Sequence, residues 1–364
     1  MVGMRDVARE AGASLSTVSL VVNGNGYVSR DMRTRIERAM ATLHYVPNEL
    51  ARNLFRDRTD IIGMIIPTIR HPFFATLTAA VQRVLSAQGF RTLLCSTVDA
   101  KEGEAEYVDM LQRHMMDGII MASHTEHDVN YWESIARPVV AFDRYLGPGI
   151  PAIGSDHEQG GAMEARLLLR TGARHVVMIG GPRIQFHDLA RADGSEQGGE
   201  AGTTFPTVRH YLRLEYELSR AGIRYDYLEA GEVDDFDGYA KAAHEVFERF
   251  DDVDAIVSSD IGGACCVQEA LGRGINVPRD LQIIAYDGSY ITRVAGMKLT
   301  AVHQNFQGIA DVLCRRMIDA IEDEPSARGE AGKGSDARGP LSSGASGAQG
   351  DLIPVNMVVG QTTR

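Results

Sequence analysis

Cysteine is scarce in this chain: Cys95, Cys265, Cys266 and Cys314 are all there is, and no two form a C-x-x-C pair. That spacing gives no support to a thiolate metal site or a disulfide framework and leaves buried free thiols in a reducing compartment as the simplest account. No apolar run reaches membrane-spanning length, and no apolar leader core stands near residue 1. The expected location is therefore the cytoplasm, with no membrane contact. The chain also lacks a G-x-G-x-x-G after a strand, a P-loop and a nucleophile elbow; "IGGPR" and "SDIGG" are glycine-containing turns without the required spacing. Asp156, His157 and Glu158 are adjacent in one loop and do not converge on an ion as an i, i+4 helical pair does. These absences predict a protein that is not an enzyme and needs no cofactor or metal.

Positive charge is short overall. The net charge of −12 argues against a generic nucleic-acid coat, but its distribution is uneven. Residues 1–58 carry nine Arg against six acids, and everything acidic in the balance lies beyond them. A basic head on an acidic body suits one small polyanion-binding module. In "DVAREAGASLSTVSLVVNGNGYVS" (6–29), apolar residues recur at Val7, Ala8 and Ala11, then at Leu15, Val18, Val21 and Val22. Each run fits a helix face. Between them Gly12 permits a left-handed turn and Ser14 can cap the second helix. "SRDMRTRIERAMATLHY" adds a third, with Met32, Ile36, Met40 and Leu43 on one side and Ser29 as its cap. Pro47 breaks the chain, and Asn48 caps a short stretch, "ELARNLF".

From Ile61 the texture changes to apolar strands alternating with amphipathic helices: "IIGMIIP", "TLTAAVQRVLSAQG", "TLLCS", "GIIMAS", "VVAF", "HVVMIGG", "AIVSS" and "LQIIAYDG" mark the rhythm. This pattern predicts parallel sheets covered on both faces, and the units exceed one comfortable sheet, so two α/β subdomains are expected. Two Gly-rich polar segments, 187–206 and 326–350, cannot bury a core and read as flexible insertions. After the second, "LIPVNMVVG" reads as one last strand.

The order of these parts carries a resemblance. "DVAREAGASLSTVSLVVNG", "YVSRDMRTRIERAM", "HYVPNELARNL", "HPFF", "FDR", "GINVPRDLQIIAYD" and "LTAVHQN" run in register over nearly the whole chain. Together they resemble the LacI/GalR family of bacterial transcription regulators, and "AYDG" looks like the sucrose-type branch. The resemblance implies an N-terminal all-α helix-turn-helix head and an α/β body, similar to periplasmic binding proteins, made of two doubly wound parallel-sheet subdomains. The expected boundaries are a DNA-binding head at 1–46, a hinge helix at 47–58 and an effector-binding and dimerisation body at 59–364. Within the body, the first subdomain takes about 60–157 and 304–325, and the second about 158–303 and 351–364.

In a helix-turn-helix unit the first residues of the second helix meet base edges. Here they are Leu15 and Ser16, with Leu20 one turn later. Many relatives carry Arg at the position of Leu20; leucine can contact a thymine methyl but cannot bond guanine. Ser14, Thr17, Ser19, Asn23, Ser29, Tyr45 and Asn48 match family positions that touch phosphates. In "NELARNL" the resemblance implies that Ala51 and Leu54 enter the minor groove, with Leu54 wedged between base pairs. In the body, Phe73, Phe74, Arg144, Ser259, Asp260, Asp287 and Gln304 stand where strands give way to loops or cross between lobes, and match family positions lining the effector pocket. Relatives usually carry an effector-gripping Arg ahead of a segment like "LSRAGI"; here counting back without gaps puts His210 and Arg213 there, and Arg209 takes the place after a one-residue shift, so Arg209 and His210 join the effector candidates.

The expected function is a sequence-specific DNA-binding regulator, a repressor acting as a homodimer on operator double-stranded DNA, controlled by a sugar or sugar phosphate between the body lobes. The alternatives are a transporter's solute-binding protein, which predicts an export signal and no head, and a corepressor-type or activating member of the same family. The wedge is tested by Leu54→Ala: operator affinity in gel shifts falls by roughly tenfold or more while sugar binding is kept, and an unchanged operator affinity removes the wedge.

Overall fold

The computed structural model describes residues 2–364 except 25, 48–57, 99, 101, 126, 128, 188–202, 204 and 324–349. The chain divides into two units, the first ending at Thr59 and the second beginning at Asp60. No described helix is long and apolar enough to cross a membrane.

The first unit is three helices, α1 (Met4–Ala11), α2 (Leu15–Asn23) and α3 (Arg30–Thr42). Gly12 closes α1 at φ 60°, a left-handed conformation that an added Cβ would strain. Two residues on, Ser14 starts α2, its Oγ accepting from the Thr17 N–H at 3.0 Å. Ser29 does the same for α3 through the Met32 N–H. Val7, Ala8, Ala11, Val18, Val21, Ile36 and Ala39 form the core, with Met32, Met40 and Leu43 packed against it. The Arg35 guanidinium donates to the Ala11 carbonyl at 2.6 Å, covering one of the orphan acceptors at the end of α1. The stretch expected to form the hinge helix, with Asn48, Ala51 and Leu54, lies outside the described residues.

The second unit holds two six-stranded sheets. The first is built from β1 (Ile61–Ile66), β2 (Arg91–Ser96), β3 (Gly118–Met121), β4 (Val139–Phe142), β5 (Ala152–Ser155) and β11 (Asp351–Ile353), in the order β11-β5-β4-β3-β1-β2. The second comprises β6 (His175–Gly180), β7 (Arg224–Glu229), β8 (Ala255–Ser259), β9 (Gln282–Asp287), β10 (Thr300–His303) and β12 (Asn356–Val358), ordered β12-β10-β9-β8-β6-β7. Every pairing is parallel except β10 with β12. The central strands are buried on both faces, as their unbroken apolar runs require.

Helices follow the strands: α4 (Pro72–Ala87), α5 (Ala105–Gln112), α6 (Val129–Ser134), α7 (His157–Arg170), α8 (Arg209–Ala221), α9 (Phe236–Arg249), α10 (Asp260–Gly272) and α11 (Phe306–Glu322). Phe73, Phe74 and Leu77 of α4 share one core with Ile309, Leu313 and Met317 of α11, so the chain returns to the first lobe after β10. It crosses between the lobes three times: after β5, after β10 and between β11 and β12. The last crossing corrects the sequence pattern. The stretch read as one strand, "LIPVNMVVG", falls in two three-residue strands, β11 starting one residue earlier at Asp351, and residues 351–353 join the first sheet rather than the second subdomain. Pro354 lies between the two strands; it has no N–H for a ladder, and there the chain changes sheets.

Ile36 is fully buried at the centre of the head. Replacing it by alanine costs about 2–5 kcal/mol of head stability. The expected reading is loss of DNA binding with an unchanged melting transition for the second unit; loss of both transitions together contradicts two independently packed units.

Candidate functional site

On the first unit, the start of α2 is open to solvent. Leu15 is 44% and Leu20 37% exposed, well above the buried face formed by Val18 and Val21, so neither leucine is spent on the core. Ser16 is exposed beside them. The Ser14 hydroxyl lies 2.7 Å from those of Ser16 and Thr17, and Asn23 donates to Ser19 at 3.1 Å, so hydroxyls and an amide line the same helix. No acidic residue stands in the first turn of α2, which leaves its positive dipole end available to an anion. Ser29 caps α3, and Tyr45 is half-buried against the head core.

In the second unit the two lobes enclose a cavity of about 360 Å³, within the usual range for a small-molecule site. Seven of the nine sequence candidates line it: Phe73, Phe74, Arg144, His210, Ser259, Asp287 and Gln304. Phe73 and Phe74 sit in the first turn of α4, both buried and both in the first-lobe core. They serve packing and cavity wall at once, Phe73 stacking on Phe142 at 5.8 Å. Arg209 and Asp260 do not line the cavity. Arg209 opens α8 one residue before the inward-facing His210. Asp260 turns its carboxylate to the backbone, accepting from the Gly288 and Ser289 N–H groups at 3.1 and 2.5 Å. It fixes the loop that carries Asp287 rather than meeting a ligand itself.

The cavity's polar groups are held by a hydrogen-bond chain through the crossings. The Ser155 hydroxyl donates to Gln304 Oε1 at 2.6 Å, and Gln304 Nε2 donates to Asp287 Oδ1 at 2.8 Å. A second chain runs from Asp143 Oδ2 to His157 Nε2 at 3.1 Å and from His157 Nδ1 to the Tyr286 hydroxyl at 2.7 Å. His210 stacks on Tyr286 with ring centroids 3.8 Å apart and meets Glu164 at 3.1 Å. Burial sets the protonation here. It raises the Asp287 carboxyl well above its ordinary range, with the Asp260 charge adding to the effect, and lifts Asp260 to about 7 against the pull of its own hydrogen bonds. Burial likewise raises Glu164 and lowers His210.

Two of the three aspartates that line the cavity have left-handed backbones, Asp143 at φ 44° and Asp287 at φ 116°. Side chains seldom occupy that region, and such strain gathers at sites where a group must be aimed. Asp143 Oδ1 has no hydrogen-bond partner among the described residues, and it fits only because position 154 is glycine: a Cβ there would lie 2.4 Å away. Sequence reasoning missed Asp143, His71, Tyr239 and Tyr286, all on the cavity wall, together with His157 and Glu164 behind it. "FDR" was the available signal for Asp143. The Asp156-His157-Glu158 run does not converge: Asp156 caps α7, His157 points inward and Glu158 pairs with Arg213 at 3.9 Å. No cluster of metal-binding side chains occurs among the described residues.

The chain is similar to known proteins along its length. Residues 3–48 match the bacterial regulatory proteins of the lacI family. Residues 59–206 match the periplasmic binding proteins and sugar binding domain of the LacI family, and residues 165–331 a periplasmic binding protein-like domain. A sucrose operon repressor of Pediococcus pentosaceus is 30% identical, covering 88% of this chain and 92% of its own. A ribose operon repressor of Halalkalibacterium halodurans is 30% identical over 89% and 92%. Among solved structures, a lac repressor dimer bound to operator and an anti-inducer shares the fold with a TM-score of 0.77 at 19% identity, covering 100% of this chain and 99% of its own.

His71 forms part of the wall, edge-on to Phe74, its Nδ1 unpartnered among the described residues. Burial lowers its pKa from 6.5 to about 4. Between those values the unfolded chain holds the extra proton, so this group makes stability fall as pH drops through that window. His71→Phe removes the effect. Relative to the parent, the variant gains about 2 kcal/mol of unfolding free energy between about pH 7 and about pH 4.5, measured by urea titration; a constant difference across pH refutes it.

Proposed function

The chain belongs to the lacI family of bacterial regulatory proteins, and on that premise we propose that it represses transcription by holding operator DNA through its head, under control of a sugar bound in the body's cleft. One observation carries the reading: a single chain combines a capped helix pair whose second helix opens with exposed Leu15, Ser16 and Leu20, and a ligand-sized cavity walled by aspartate, glutamine and phenylalanine. A transporter's solute-binding protein accounts for the second feature and not for the first.

In this reading the protein works in the cytoplasm as a homodimer, one head to each half-site of a near-palindromic operator. Leu15, Ser16 and Leu20 meet base edges, the Ser14, Thr17, Ser19, Asn23, Ser29, Tyr45 and Asn48 side chains meet phosphates, and Ala51 and Leu54 enter the minor groove. Aspartate and glutamine bond sugar hydroxyls, while Phe73 offers an aromatic face to the ring. A ligand shifts operator affinity only by as much as it prefers one lobe arrangement over the other, typically 5–150-fold. Gln304 and His157 are the side chains through which such a preference passes, because each bonds groups from both lobes.

A gel-shift titration of a palindromic operator library, with sucrose, ribose and other free sugars added, tests this. The expected outcome is selection of one operator and its release by at least one sugar, with Asp287→Ala keeping the operator and losing the response. No preference over scrambled duplex overturns the proposal, and tightening by sugar reverses its sign to corepression.

A further inference from the structure

The charges around the cleft narrow the class of ligand beyond the word sugar. Among the described lining residues, carboxylates come from both lobes and from the rim: Asp143, Asp287, Glu232 and Asp234. One guanidinium faces them, that of Arg144, and it is engaged: Nη1 donates to the Asp143 carbonyl at 2.5 Å, and the group lies 5.3 Å from the Phe205 ring centre. The buried imidazoles of His71 and His210 add no compensating charge, since burial holds both below their ordinary range. His210 is bonded to Glu164 at 3.1 Å.

From this arrangement we propose that the cleft takes an uncharged polyhydroxyl ligand, a free sugar, and excludes sugars bearing a phosphate or carboxylate. The inference rests on the reading of the cleft as a sugar site. A phosphate entering it would leave bulk water for a wall on which Asp143, Glu232 and Asp234 outnumber the Arg144 guanidinium even with Asp287, whose burial disfavours its charged form, left out; like charges repel strongly in a partly buried setting. Hydroxyl groups meet the opposite situation. Asp143 Oδ1 is buried without a partner among the described residues and can accept from a hydroxyl, and Asp287 keeps acceptor capacity beyond the bond it takes from Gln304. The same carboxylate wall that repels a phosphate therefore satisfies a polyol.

Calorimetry on the full chain tests this with matched pairs: glucose, fructose, ribose and sucrose, each against its own terminal phosphate ester. The expected result is that at least one free sugar binds and that its phosphate binds about 100-fold more weakly. Asp143→Asn, and separately the rim variant Glu232→Gln, shrink that gap by raising the affinity of the ester. Should Asp143→Asn fail to fold, the rim variant carries the test alone. A phosphorylated sugar bound as tightly as its free partner overturns this inference and leaves the sugar site standing. Failure of every compound in both classes overturns the sugar reading and this inference together.

Discussion

The Gln304 side chain ties the two lobes of the body together. It lies on the second crossing between the lobes, buried, with its carbonyl accepting from Ser155 of the first sheet and its amide donating to Asp287 of the second. A planar amide has a fixed reach, so the ends of β5 and β9 are held at a set separation. Leaving either partner without its bond would cost about 1–3 kcal/mol for a buried group. Asp287, on the cavity wall, is thereby connected through Gln304 to the opposite lobe.

The second chain, Asp143–His157–Tyr286, repeats the arrangement at the first crossing. Both chains end on an aspartate with a left-handed backbone. The strain is offset by packing around it: Gly154 clears space for Asp143, and Asp260 holds the Gly288–Ser289 backbone that follows Asp287. Neither Gly154 nor Asp260 lines the cavity itself.

Much of this was legible in the sequence, for physical reasons. Parallel strands buried on both faces must be apolar throughout, so β1, β3, β4, β6, β8 and β9 stood out. Strand β7, an edge strand reading "RYDYLE" with half-exposed positions, carries no such signature. The four residues of β5 are too few to show a pattern. Caps and left-handed glycines in the head are local chemistry and read directly. The cleft residues at strand ends were legible because topology places them, and Arg144, Asp287 and Gln304 are of this kind. Asp260 shares that position, but its carboxylate bonds a neighbouring backbone, which no linear pattern reveals. Asp143, His157 and Tyr286 meet across as many as 129 residues of sequence, Glu164 and His210 across 46, and pairings at that distance follow only from the completed fold.

The sharing of residues 351–358 between the sheets fixes an order of events during synthesis. The head has all three helices once residue 42 has emerged, whereas each body sheet waits for an edge strand supplied after residue 350. A nascent or prematurely stopped chain therefore carries a finished DNA-facing module on an unfinished sensor, and its grip on nucleic acid would escape metabolic command.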